Sequence, residues 1–177
     1  MNSRPSRASA LLAGALILAC TAAVHPPEGE GTVTLGTFDS RAVAIAYAGS
    51  EAFGSYMSGL MQELDDAKRA GDTARVAELE AFGPELQARL HRQGFSTGAV
   101  DDILEQIEDQ IPAIARAAGV DVLVSKWDLV WQEPDAALHD VTWSLVEAFD
   151  PDERTRTSCR EIMAQDPVPE ADLGHEH

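Results

Sequence analysis

Five histidines, two cysteines and several paired carboxylates are the residues of this 177-residue chain with reactive potential, and their spacing decides whether any of them reacts. His91 and His139 stand alone, with no Ser, Cys or carboxylate at a spacing that would assemble a nucleophile and a general base. His25 lies among Pro, Gly and charged residues. His175, Glu176 and His177 carry metal-ligand chemistry, but a chain end holds no coordination geometry. Asp65-Asp66, Asp101-Asp102 and Glu105/Glu108/Asp109 fall in helical stretches where adjacent side chains diverge, so they read as solvated faces rather than acid–base pairs. No GxSxG, Walker-type loop, CxxC or HExxH occurs. Sequence reading therefore assigns no catalytic, cofactor-binding or metal-binding residue and expects a protein that is not an enzyme and needs no cofactor.

The chain start carries an export pattern. Arg4 and Arg7 precede an uncharged run, ASALLAGALILA from Ala8 to Ala19, that is too short to span a bilayer comfortably. Cys20 follows in LILAC, which resembles the lipobox of bacterial lipoproteins, in which the Cys is acylated and becomes the mature amino terminus. Leu18 stands where that pattern ordinarily has a small residue, and cleavage by the ordinary route nearby is the alternative. Residues 1–19 are thus expected to be a lipoprotein-type signal peptide, Cys20 the lipidation site and residues 20–31 a flexible tether rich in Pro and Gly. Lipidation would leave Cys159 as a free thiol on a helix face, whereas without it a Cys20–Cys159 disulfide is open.

Charge narrows the partners. Thirty acidic residues against 13 basic ones give a net charge of −17, which disfavours nucleic acid and anionic lipid headgroups and favours neutral, cationic or apolar partners. The 45% hydrophobic content suits one ordinary domain plus tails.

The elements follow from periodicity. TVTLGTF, Thr32 to Phe38, reads as a strand, and Asp39 or Ser40 as the N-cap of a helix from about Arg41 with small residues at Ala42, Ala44, Ala46 and Ala48. Arg41 would sit in the first turn, against the helix dipole, so a nearby carboxylate such as Asp39 is its expected partner. Phe53, Met57, Leu60, Met61 and Leu64 form an apolar helical stripe, AGD at Ala70–Asp72 a turn, and Val76, Leu79, Gly83, Leu86 and Leu90 a second stripe. Pro84 is expected to kink or restart that second helix. A third helix is read over Ala99–Ala118, bent at Pro112. Val120, Val122 and Val124, then Trp127, Leu129 and Trp131, alternate as two strands joined near Ser125 and Lys126, and Val141–Phe149 reads as a last short helix. The two Trp side chains are assigned to core or subunit-interface packing.

The resulting fold class is α+β: a small β-containing body of a strand and helix, then two closing strands and a helix, with a projecting antiparallel helical hairpin at about residues 51–93. The segments TLGTFDSRAVAIAY and AIARAAGVDVLVSKWDLVWQEPDAALHDVTWSLVEAF resemble the opening and closing parts of the Skp/OmpH family of periplasmic chaperones, with Asp39 and Arg41 in matching places. The resemblance covers about 60 residues and places an OmpH-like domain at residues 32–160, followed by a largely disordered acidic tail at 161–177. It implies a body that trimerises and projects helical arms around unfolded outer-membrane proteins without ATP. The arm is shorter than the family's, about 19 residues or roughly 28 Å at 1.5 Å per residue. Well-known members are basic, so lipopolysaccharide binding is not carried over to this acidic chain.

The expected function is an ATP-independent holdase in the periplasm, anchored to the outer membrane through Cys20 and binding unfolded or envelope proteins as a homotrimer. The alternative is a lipid-anchored adaptor that binds one envelope partner through an acidic helical hairpin.

Overall fold

The computed structural model describes residues 33–173. The signal segment 1–19, Cys20, the tether, His25 and the group His175–His177 lie outside the described residues. Among those described, seven α-helices accompany a three-stranded sheet, so the chain is mixed helix and sheet.

Strand β1 (Leu35–Phe38) is the middle of the sheet, flanked by β2 (Val122–Ser125) and β3 (Leu138–Asp140), and both neighbours run parallel to it. Gly36 permits the close fit of β1 on β2: a Cβ there would stand 2.7 Å from Leu123 Cδ2. Asp39 caps helix α1 (Ser40–Ala48), its carboxylate accepting the Arg41 amide, as the sequence implies. The small side chains of Ala42, Ala44 and Ala46 bury completely or nearly so, which brings α1 close to its neighbours.

Helix α2 (Glu51–Ala70) starts on Ser50, whose hydroxyl accepts the Phe53 amide, and ends on Gly71 with φ +70°, a left-handed conformation that glycine adopts without strain. Asp72 caps α3 (Thr73–Phe95). The two helices contact each other, tied by Arg75 to Glu63 (2.8 Å) and Lys68 to Glu80 (3.2 Å). Of the two outcomes expected at Pro84, a kink or a restart, the restart does not occur: α3 is continuous through it. Pro84 removes one amide, whereas the packing and ion pairs along the rest of a 23-residue helix outweigh that local loss.

The third expected helix is two. Helix α4 (Asp101–Leu104) passes into a 3-10 turn at Glu105–Ile107, and α5 (Ile111–Ala118) begins anew with Pro112 in its first turn, where a missing amide costs nothing. Pro112 therefore starts a helix instead of bending one.

The second of the two closing strands does not form. Lys126 donates its amide to Phe38 O (2.9 Å), extending β2 by a residue, after which the Asp128 amide returns to Ser125 O (3.0 Å) and turns the chain. Trp127 swings inward over buried charges, while Val130 is fully exposed and Trp131 is 73% exposed. The strand that does close the sheet, β3, lies beyond the Glu133–Asp135 segment and on the far side of β1 from β2. An adjacent two-residue joint cannot connect parallel neighbours, and the alternation of Trp127, Leu129 and Trp131 is not a buried sheet face.

Helix α6 (Thr142–Glu147) matches the last expected helix. A further helix, α7 (Glu153–Met163), capped by Asp152, carries Cys159, which the sequence places on a helix without marking its bounds. Order also continues past residue 160: the Val168 amide donates to Phe95 O (2.9 Å), and Glu170–Asp172 form a 3-10 turn. The core gathers Phe38, Val43, Ile103, Leu145, Val146 and Ile162 around α1. Cys159 on α7 is fully buried and its thiol donates to Ala42 O (3.4 Å). Gly49 marks the tightest approach, since a Cβ there would lie 2.5 Å from Thr155 Oγ1. Gly49→Ala is expected to lower stability by about 1–3 kcal/mol through overpacking, as a urea unfolding midpoint would measure.

Candidate functional site

Two places concentrate the side chains with functional potential. The first is a buried ionic joint at the carboxyl ends of the three strands. Asp39, one residue beyond β1, and Arg41, in the first turn of α1, are both fully buried. Arg41 Nε donates to Asp39 Oδ1 (3.1 Å) and Nη2 to Oδ2 (2.8 Å), a bidentate pair that also offsets the Arg charge against the helix dipole. Lys126, just past β2, places Nζ 2.8 Å from the same Oδ2. The Asp39 amide donates to the Thr142 hydroxyl (2.9 Å), just past β3, and that hydroxyl donates to Asp140. One residue thereby joins three strand ends and a helix, its carboxylate holding Arg41 and Lys126 and its amide holding Thr142.

Trp127 lies against both cations, with its ring centroid 4.8 Å from the Arg41 guanidinium carbon and 4.4 Å from Lys126 Nζ. The ring's negative face offsets the positive excess of two cations on one carboxylate. Burial alone would push the Asp39 carboxyl up, but hydrogen bonds from Arg41 and Lys126, and their charges, prevail and hold it below its ordinary value. A carboxylate held ionised between two cations is a weak proton acceptor, so the joint suits structure better than acid–base chemistry. Trp127→Leu should cost about 1–2 kcal/mol by removing the ring from both cations, read from denaturant unfolding.

The second place is the surface between α2 and α3. Of the 20 residues of α2 only Ala67 is buried, yet Phe53, Met57, Leu60, Met61 and Leu64 face Leu79, Phe82, Leu86 and Leu90 across a groove of about 570 Å³. Met61 remains 64% exposed. The carboxylates around these helices are less bare than the sequence suggests: Glu63 and Glu78 pair with Arg75, Glu80 with Lys68 and Asp66 with Arg69.

The remaining expected candidates stay apart. His91 lines the groove and stacks edge-on against Phe95 at 5.7 Å, whereas His139 is exposed on β3. Asp102 accepts from Gln93 Nε2 (2.7 Å), and Asp101, Glu105, Glu108 and Asp109 are exposed. Burial pushes the Cys159 thiol up to about 11. Among the described residues no group of three His, Cys, Asp or Glu side chains could hold a metal ion, and no helix is long and apolar enough to cross a membrane. Sequence reading missed Lys126 and Trp127 as partners of Asp39, which precedes them by nearly 90 residues; the only local signal was the Lys within an apolar stretch.

Comparison with protein-family models, curated proteins and solved structures finds no match to this chain.

Proposed function

We propose that the chain is an exported, lipid-anchored envelope protein that holds unfolded outer-membrane proteins without ATP, using α2 and α3 as a projecting antiparallel hairpin. One observation carries this reading: a 20-residue helix buries a single alanine while turning five large apolar side chains toward an open groove. Four of the five are half-buried and Met61 is exposed; an open apolar groove of this kind suits partner binding, and adaptable Met side chains such as Met57 and Met61 suit partners of varied sequence. The resemblance of the opening and closing segments to the Skp/OmpH family supports the same reading. It also supports a trimer in which the Asp39 joint stiffens each body and three grooves share one client. The Cys20 pattern supports a periplasmic location at the outer membrane. The proposal assigns no chemical step, because binding energy suffices for holding.

The test is light scattering of an unfolded outer-membrane β-barrel diluted into buffer with the purified protein lacking residues 1–19. Near-stoichiometric suppression of aggregation by a trimeric species is the expected result. No suppression, together with one discrete co-purifying envelope protein, would instead establish the adaptor.

A further inference from the structure

We propose that the body carries a small-molecule site, separate from the groove, that takes a protonated amine on a compact apolar body. A cavity of about 360 Å³ opens beside the carboxyl ends of β1 and β2. Crevices at the carboxyl ends of parallel strands are where such sheets place ligands, and this volume falls at the small end of the range of about 300–1,000 Å³ for ligand pockets. Its walls are apolar, built by Leu104, Ile111, Leu123 and Leu145. Ser40 also lines it, but its hydroxyl is fully buried and does not face the open space.

Charge selects the ligand. Asp101 and Asp128, both solvent-exposed, line the cavity and no Lys or Arg does. Lys126, next to Ser125 in the chain, is turned to Asp39, and Arg89 reaches toward Asp102 instead of Asp101. The amino terminus of α1, which would otherwise attract an anion, is already capped by the Asp39 carboxylate. An ammonium group can face the two carboxylates while its hydrocarbon fills the apolar walls. A carboxylate ligand of the same shape would meet like charge.

The experiment titrates the purified protein with 2-phenylethylamine, 2-phenylethanol and phenylacetate, following amide NMR shifts of the residues around the cavity. The amine should bind at least about tenfold more tightly than phenylacetate, with the alcohol between them. Asp128→Asn should weaken the amine about fivefold or more and leave the alcohol unchanged. Cavity filling by Leu104→Phe should abolish all shifts while the melting temperature is retained. If the amine moves no cavity resonance in the wild-type protein, or binds no better than phenylacetate, or is indifferent to Asp128→Asn, the proposal fails. Aggregation suppression reads the groove alone and is unaffected by any of these outcomes.

Discussion

Asp39→Asn will destabilise the protein by about 3–5 kcal/mol, because it leaves two cations at a buried site without their counter-charge. Arg41 is fully buried, so it cannot recover hydration without breaking the contact between strand ends and α1, whereas Lys126 is partly exposed and loses only its partner. Arg41→Ala should also be costly, but less so, because Asp39 keeps Lys126 and the site loses its positive excess. The ordering matters more than either value: a joint built around one carboxylate suffers most when that carboxylate is neutralised. Urea unfolding gives the magnitudes, and labelling of Cys159 by a thiol reagent gives an independent readout. Cys159 is fully buried on α7 with its thiol pushed up to about 11, so it should label slowly in the wild type and quickly in Asp39→Asn. The pH dependence has a definite sign. The Asp39 carboxyl is lower in the folded chain than in the unfolded one, so its contribution is complete above the unfolded value and is lost as pH falls through the folded value. Acid should therefore loosen the wild type, while Asp39→Asn should lack that component of acid sensitivity.

Placing a charge in the groove should separate holding from folding. Leu64→Asp with Leu79→Asp puts two carboxylates where apolar side chains of α2 and α3 face each other. Both leucines are already half-buried, so a client gains only part of the about 1.5–3 kcal/mol that full burial of each is worth, and each 1.4 kcal/mol is tenfold in affinity. Client binding by the double variant should thus fall at least about tenfold. Neither residue belongs to the core packed around α1, so Cys159 should remain protected from labelling. Protection with lost binding locates the function in the groove, whereas loss of both would place these residues among the supports of the fold.

What was legible in the sequence was local. Asp39 or Ser40 as a cap, Asp39 as the Arg41 partner and Ala70–Asp72 as a turn between helices all follow from groups within a few residues of each other. The apolar stripes of α2 and α3 were legible for the same reason. Pairing across long separations was not. Trp127, Leu129 and Trp131 alternate as a strand would, yet the capture of Lys126 by Asp39 and of the Trp127 ring by two cations turns the chain out of the sheet. The sheet then recruits Leu138–Asp140, a stretch too short and polar to announce itself. The bounds of helix α7 were hidden because ERTRTSCREIM is polar on most faces and buries little beyond Cys159 and Ile162. Most groove residues fall in those stripes, although Phe82 does not, and only their placement shows that α2 buries a single alanine and leaves Met61 open.

The central claim is that unfolded client chains are held against the α2–α3 groove. The most direct measurement replaces Met61, and separately the fully exposed Val130, with a photo-crosslinking amino acid and irradiates each protein with a urea-unfolded outer-membrane β-barrel. Crosslinks from position 61 that vanish in the Leu64→Asp/Leu79→Asp background, with few from position 130, are the predicted result. Absence of crosslinks at position 61, or equal yields at the two positions, would contradict it.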